Sequence, residues 1–206
     1  MSRELPIMMT GDSVRAILAG TKTQTRRVCK VQPCNPQTFG TSPIWGSGIR
    51  NGRYGIHAAT NVNGERVDRW LNTRYSVGDL IWVKETWWPC DAGHEGVIHY
   101  RADGESIHAR ENNKWRSPMY MPKWAARIWL RVTSVRIERL QSINWIDAIA
   151  EGMRDTRRCA TRIDSNNPKS PVAQYRVVWE SINGKKNPWE SNPWVEVYTF
   201  KREEPK

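Results

Sequence analysis

The stretch LAGTKTQTRR at residues 18–27 changes from a helical to an extended pattern. Upstream of it, apolar side chains recur at Val14, Ile17 and Leu18, which is the i, i+3, i+4 spacing of one helix face. The glycine of the stretch is placed to end that helix, because glycine readily adopts C-cap conformations. Residues 22–28 are rich in threonine, which favours extended chain. The sequence therefore predicts a short helix followed directly by a β-strand.

Downstream, the pattern predicts strands that are not joined by regular crossover helices. Strands are predicted at residues 80–87, 97–101, 127–139 and 194–200. The apolar phase shifts within 127–139, which indicates a β-bulge. One helix is predicted at about 144–151, capped by Ser142 or Asn144, and another from Ser170-Pro171 to Gly184. This order excludes a doubly wound parallel sheet and predicts an α+β fold, a mixed or antiparallel β-barrel with short helices at its ends.

Residues 30–76 differ from the rest of the chain. They are punctuated by glycine and proline, and their apolar periodicity is weak. We therefore predict a long loop inserted in one domain that spans 1–206, with 154–169 as a second loop. Five arginines make the insertion a predicted basic flap: Arg50, Arg53, Arg66, Arg69 and Arg74.

Composition points to a polyanionic partner. Lys and Arg number 32 and Asp and Glu number 21, which gives a formal net charge of +11. Nucleic acid is the polyanion that such a protein most commonly meets, an anionic membrane surface is the second reading, and a merely solvated basic surface is the third. The 12 tryptophans offer flat faces that pack in a core or stack on bases.

Targeting and metal signals are absent from the sequence. The first ten residues lack the apolar segment of a signal peptide, and no apolar run approaches the ~18 residues of a membrane span. We therefore expect a cytoplasmic protein with no membrane partner. The four cysteines include no CxxC pair, and they are expected to be free thiols. Neither a metal site nor a cofactor is predicted, although His99 and His108 flank a predicted hairpin.

Four segments in order carry a resemblance to the ASCH family, whose fold is related to the PUA RNA-binding modules. They are LAGTKTQTRR at 18–27, VGDL at 77–80, AIAEGM at 148–153 and VEVYTF at 195–200. The resemblance covers both ends and the middle of the chain, and it leaves out most of 30–76 and 154–169. The chain most resembles ASCH proteins encoded by phages and prophages, which implies a PUA-like barrel in the cytoplasm of a bacterial host.

The resemblance also implies a chemistry. Small bacterial ASCH proteins hydrolyse N4-acetylcytidine with a lysine, a threonine and a glutamate, and the matching positions here are Lys22, Thr25 and Glu151. Hydrolysis of an amide needs a nucleophile, a base and an acid for the leaving amine. A lysine serves as the base only when desolvation lowers its pKa. The resemblance therefore implies an amidohydrolase that acts on an N4-acylated cytidine nucleoside or nucleotide.

Two observations keep a structural reading of these three residues open. On a regular strand Lys22 and Thr25 point to opposite faces, so they converge only if Lys22 lies in the turn before the strand or a bulge intervenes. Lys22 and Glu151 could also form a plain salt bridge. A glutamate at a helix C-terminus opposes the helix dipole, which slightly favours a special role for Glu151.

The alternative function is a non-catalytic module that binds RNA or DNA. Arg26 or Arg27 could hold a phosphate or polarise a carbonyl. Glu85, in mid-strand, needs Arg127 or Arg131 as a partner if it points inward. The other candidate binding residues alternate basic and aromatic side chains: Trp87, Trp115, Arg116, Lys123 and Trp124. A phage protein that occupies a host partner is a third possibility, and the sequence leaves the oligomeric state open.

Overall fold

The computed structural model describes residues 2–32, 44–50, 53–63, 65–89, 97–104, 115–156 and 169–204. Three α-helices lie in these ranges: α1 (Gly11–Leu18), α2 (Trp145–Ala150) and α3 (Pro171–Asn183). The strands there are β1 (Glu4–Met8), β2 (Gln24–Val28), β3 (Ile44–Arg50), β4 (Arg53–Val62), β5 (Glu65–Asn72), β6 (Leu80–Lys84), β7 (Trp87–Pro89), β8 (Ile98–Tyr100), β9 (Trp129–Arg139) and β10 (Trp194–Glu203). The predicted α+β class is confirmed.

The central sheet has five strands in the order β1-β6-β9-β10-β2. β1 and β6 are parallel and the other pairs are antiparallel, so the sheet is mixed as predicted. The predicted bulge is confirmed: Thr199 pairs with Ser134 but Phe200 pairs with Val132, which leaves Thr133 as the extra residue. All three predicted helices are present, and Thr10, Asn144 and Ser170 cap them.

The sheet does not close into a barrel in the described part of the chain. β1 and β2 are its two edges, and no backbone ladder joins them. Side chains take the place of that ladder on β1: Arg27 Nη2 donates to the Met8 carbonyl at 2.7 Å, and Tyr75 Oη donates to the Pro6 carbonyl at 2.7 Å. These bulky groups satisfy edge carbonyls that a closing strand would otherwise pair. We call the gap between β1 and β2 the seam.

The prediction of a long loop at 30–76 is wrong. Most of that segment forms a separate three-stranded antiparallel sheet in the order β3-β4-β5. The ladders end at Arg50↔Arg53 and at Val62↔Glu65, and in each case the sequence between the paired residues is Asn-Gly. Asn-Gly between two extended runs is a strong hairpin signal, and Asn63 has the positive φ, 51°, that such turns need. Glycine and polar residues in the strands weaken the apolar alternation, but they do not prevent backbone pairing.

A second correction concerns residues 80–87. The predicted single strand is divided, because β6 ends at Lys84 and β7 begins at Trp87. Glu85 and Thr86 lie between them, and β7 leaves the central sheet to pair with β8. The break allows Glu85 to turn away from the sheet ladder and to reach a side-chain partner.

Two apolar clusters cover the two faces of the central sheet. One contains β1, β6 and β9 side chains with Val14 and Ile17 of α1. The other contains Tyr175 and Trp179 of α3, with Leu140 and two β10 valines. β10 serves both clusters, because its alternate residues point to opposite faces. Within the described ranges, none of the helices has the length and apolar character needed to cross a bilayer.

The second cluster should be required for stability. Leu140 is fully buried in it, at 0% exposure. Leu140→Ala should lower the free energy of unfolding by about 2–5 kcal/mol, because it removes buried methyl groups and leaves a cavity. Ile146→Ala is the control, since Ile146 lies in α2 but is 58% exposed, and it should change stability by less than about 0.5 kcal/mol. Urea unfolding measures both, and equal losses would contradict the assigned cluster.

Candidate functional site

Lys22 and Glu151, which are distant in sequence, meet in a buried ion pair. Lys22 precedes β2, Glu151 follows α2, and their backbones form an isolated antiparallel bridge. Lys22 Nζ donates to Glu151 Oε2 at 2.7 Å and to the Glu151 carbonyl oxygen at 2.8 Å. The side chains are 5% and 3% exposed. The interaction therefore ties the start of β2 to the end of α2.

A glycine allows this close approach. Gly152 has φ 96°, a conformation that favours glycine, and a Cβ there would lie 3.0 Å from Ala16 Cβ and 3.4 Å from Lys22 Cβ. The chain can therefore turn sharply after Glu151 and pack against α1. The neighbouring backbone hydrogen bond from Thr23 N to the Ala150 carbonyl, at 2.8 Å, holds the two segments together.

Arg26 is the second cation on Glu151. Its Nη1 donates to Glu151 Oε1 at 3.2 Å, so the carboxylate is held on both oxygens. Its Nη2 donates to Glu138 at 2.7 Å and lies 3.2 Å from Asp147. Arg136 contacts the same Glu138 and Asp147 from the other side. Lys22, Arg26 and Arg136 therefore balance Glu138, Asp147 and Glu151 in one network between β2, β9 and α2.

Burial lowers the pKa of Lys22, and the nearby Arg27 and Arg26 charges lower it further, while Glu151 opposes the shift. The amine therefore loses its proton more readily than an exposed lysine, which is the property a general base needs. The pKa of Arg26 shifts in the opposite direction. Burial disfavours its charged form, but Glu151, Tyr175 and Glu138 outweigh burial and raise the pKa. Arg26 stays charged and keeps Glu151 in place.

Thr25 does not join the pair. It is opposite Tyr198 in the β2–β10 register, whereas Arg26 is opposite Val197, so Thr25 and Arg26 point to different faces of the sheet. Lys22 lies in the turn before the strand, as convergence required, but it binds Glu151 on the Arg26 side. Among the described residues, the Thr25 hydroxyl makes no hydrogen bond to Lys22 or Glu151. The amine and the acid are together, and the alcohol faces away from them.

A cavity of about 760 Å³ lies at the seam. β1 contributes Pro6, Ile7 and Met8 to its wall, and β2 contributes Arg26, Arg27 and Val28. Neither Lys22, Thr25 nor Glu151 lines it. Its described lining contains five cations and one carboxylate: Arg26, Arg27, Lys30, Arg74, Lys84 and Glu196. We call it the seam cavity.

Arg27 has unused hydrogen-bonding capacity at this cavity. Its Nη2 contacts the Met8 carbonyl and Met9 Sδ, but its buried Nε has no hydrogen-bond partner among the described residues. Burial lowers the pKa of Arg27, which reflects the cost of keeping a charge there without a close carboxylate. A bound anion would compensate the charge of the guanidinium group.

Glu85 is held by Arg127, one of its two predicted partners. The guanidinium donates to both carboxylate oxygens, at 2.9 and 3.0 Å, and also to Asp103 at 2.7 Å. Arg131 instead pairs with Glu203. Burial raises the pKa of Glu85, and Arg127 opposes that shift. Glu85 is thus engaged within the protein and does not present a free carboxylate to a ligand.

The basic and aromatic side chains predicted to bind nucleic acid divide into a buried set and an exposed set. Trp87 is only 3% exposed, in a small cluster with Met121 and Ala125, and Trp115 is partly buried. Trp124 is 71% exposed and meets Trp87 edge to face at 6.0 Å. Arg116 and Lys123 are exposed, over the Trp87 and Trp129 rings at 5.3 and 5.5 Å. Of the predicted tryptophans, only Trp124 offers an open face for stacking.

Metal ligation finds no support in the described ranges, where no three His, Cys, Asp or Glu side chains are grouped to hold an ion. His99 stacks on Trp88 with ring centroids 5.0 Å apart. His108 lies outside the described residues, as do Cys34, Cys90 and Cys159. Cys29 is free and buried, and burial together with the Glu196 charge raises the pKa of its thiol.

Sequence reasoning missed most of the seam cavity. Three of its cations belong to segments with no motif: Lys30, Arg74 and Lys84. They converge because the two edges of the sheet, β1 and β2, both line the same cavity. Glu196 did leave a signal, since it is the one acidic residue in the VEVYTF segment and both faces of that strand are covered. A charge on a strand buried on both sides indicates a specific partner.

Comparison with known proteins gave no match: no family model matches the chain, and no curated protein or solved structure matches it.

The Glu151 network predicts a large, non-additive effect on stability. Glu151→Gln should lower the free energy of unfolding by about 3–5 kcal/mol, because it leaves the buried Lys22 without its carboxylate and removes one of the three carboxylates around Arg26. Adding Lys22→Met should recover part of the loss by removing one of those charges. The control is Asp12→Asn, which breaks an exposed pair with Arg15 and should cost less than about 1 kcal/mol. Denaturant unfolding measures the cycle, and simple addition of the two losses would contradict the coupling.

Proposed function

We propose that this chain is an ASCH-like, PUA-related module, of the kind that phages and prophages encode, and that it binds the phosphate-bearing part of a nucleic acid or nucleotide. One observation carries the proposal: apart from Arg26, which the Glu151 network neutralises, the seam cavity is lined by four cations, Arg27, Lys30, Arg74 and Lys84, and a single carboxylate. The net charge of +11 acts in the same direction, because it attracts polyanions over a longer range.

The chemistry of the cavity suits phosphate. Arginine donates paired N–H groups that match phosphate oxygens, and Arg27 and Arg74 line the cavity with two lysines. Burial lowers the pKa of Arg27, so its charge there favours an anionic partner. The volume of about 760 Å³ lies in the range of small-molecule sites, so a whole nucleotide fits.

The exposed surface near the seam suits an attached strand. Met119 lines the cavity and is 60% exposed, and Tyr120 next to it is 72% exposed. Trp124, four residues further along the chain, is 71% exposed, and we call Met119, Tyr120 and Trp124 together the exposed strip. Nucleobases stack on such aromatic faces without strong sequence preference. A strand that places one nucleotide in the cavity could therefore rest its neighbours on this strip.

Binding of labelled single-stranded RNA and DNA should weaken steeply with salt, because each contacted phosphate releases counterions. The double variant Arg27→Gln/Arg74→Gln should bind more weakly and reduce the slope of log K against log salt by roughly 1.4, at about 0.7 per phosphate contact. Fluorescence anisotropy over a salt series measures both quantities, and running RNA and DNA side by side shows which is preferred.

The control for that series is Arg176→Gln, since Arg176 lies exposed on α3 and pairs with Glu190. It should leave the slope unchanged. Binding that does not depend on salt, or an equal change of slope in both variants, would refute the role of the seam cavity.

A second candidate function is hydrolysis of the acyl group of an N4-acylated cytidine, and the buried Lys22–Glu151 pair favours it. In this mechanism the neutral Lys22 amine removes the proton of the nucleophile and, as the resulting ammonium group, returns it to the leaving cytosine N4, while Glu151 orients the amine. The acyl group passes to the nucleophile as an ester, which water then hydrolyses. Thr25 is the nucleophile that the resemblance implies. Because the Thr25 hydroxyl does not contact the pair, its role is the weakest part of this candidate.

Incubation with N4-acetylcytidine, followed by chromatography of cytidine, tests this candidate. Turnover should fall at least about 100-fold in Lys22→Met and in Thr25→Val. It should rise with pH through the lowered pKa of Lys22, because the neutral base is the form present above that pKa. Lys185→Met, on the exposed surface, is the control. No turnover, or turnover that is equal in all variants, would remove the enzymatic candidate and leave the binding proposal standing.

A further inference from the structure

Glu196 is the one carboxylate among the described residues that line the seam cavity. It lies in β10 opposite Arg27 of β2, on the face that also carries Thr25 and Tyr198. The residue is only 7% exposed, so its position is fixed by packing. The apolar residues on either side of it, Val195 and Val197, point to the opposite face and anchor the strand.

The carboxylate of Glu196 is oriented by neutral donors. Tyr198 Oη donates to Oε2, and the Arg74 backbone N–H donates to the same oxygen at 3.4 Å. Burial and the Glu196 charge raise the pKa of Tyr198, so its hydroxyl keeps its proton and remains a donor. Although cations line the cavity, none of those in the described residues forms an ion pair with Glu196.

The second oxygen is available. Within the described ranges Oε1 of Glu196 accepts no hydrogen bond, and the residue lines the cavity. A buried carboxylate oxygen with no donor has a strong need for one. The donors that a nucleotide could offer it are the N–H groups of the base and the ribose hydroxyls, and only a contact with the base would distinguish one nucleotide from another.

We propose that Glu196 reads the base of the bound nucleotide, with Oε1 accepting a hydrogen bond from the exocyclic amino group of cytosine or adenine. This inference rests on the proposed binding of nucleotides in the seam cavity. A glutamate accepts from cytosine N4 in the same manner in nucleic-acid recognition. Guanine presents two adjacent N–H donors that suit a carboxylate with both oxygens free, and here Tyr198 occupies one of them.

Uracil and hypoxanthine supply the discriminating comparison. They carry a carbonyl oxygen where cytosine and adenine carry the amino group, and that oxygen would face Oε1 of Glu196 as acceptor against acceptor. A site built to pair with a donor strongly disfavours a ligand that leaves its acceptor unpaired. The preference should therefore be for CMP over UMP and for AMP over IMP.

Titration calorimetry with these four nucleotides tests the inference. It is run at pH 8, because burial raises the pKa of Glu196 and the ionised form is required. The wild-type protein should bind CMP about 10-fold or more tightly than UMP, in line with the roughly 1–3 kcal/mol of a good base contact. Glu196→Gln should lose this preference and still bind phosphate, because its amide can donate to the uracil oxygen. Glu203→Gln, on the same strand, should keep it.

Each result separates this inference from the proposal beneath it. Equal binding of CMP and UMP by the wild-type protein, or an unchanged preference in Glu196→Gln, would overturn the reading role of Glu196 and leave nucleotide binding intact. Failure of all four nucleotides and of single-stranded RNA and DNA to bind would overturn the proposed function itself. If Glu196→Gln does not fold, Glu196→Asp shortens the side chain while keeping its charge, and it should reduce the preference.

Discussion

The carboxylate of Glu151 is the point on which the arrangement of this protein depends. Lys22 and Arg26 hold its two oxygens, and together they fix the entry to β2 against the end of α2. Breaking one partner of such a buried set is costly, because it leaves charges in a medium that cannot solvate them. The network therefore sets the position of β2, which is an edge strand with only one backbone neighbour in the described sheet.

With β2 fixed in this way, its two faces have separate tasks. One face carries Arg26 into the balanced network beneath α2 and α3. The other carries Thr25 and Arg27 towards Tyr198 and Glu196. At the seam between β1 and β2 the sheet remains open, because side chains satisfy the β1 carbonyls in place of a closing strand. The seam cavity, with its many cations, lies at this open edge, and this links the open sheet to the proposed binding of phosphate.

The sequence predicted features that local chemistry controls. The caps of α2 and α3, the bulge in β9 and the meeting of Lys22 with Glu151 all followed from short patterns or from the family resemblance. It did not predict β3, β4 and β5, because their apolar alternation is weak and only the two Asn-Gly dipeptides signal the hairpins. The seam cavity also escaped prediction, since it depends on which strands become edges, a property of the whole sheet. The orientation of Thr25 likewise required the register with β10.

The most direct test of this account is a crystal structure of the protein soaked with CMP. The account predicts phosphate density within hydrogen-bonding distance of Arg27 and Arg74, with the base directed towards Glu196 and the Lys22–Glu151 pair undisturbed. Density on the other face of β2, inserted between Lys22 and Glu151, would contradict the assignment of the seam cavity as the binding site.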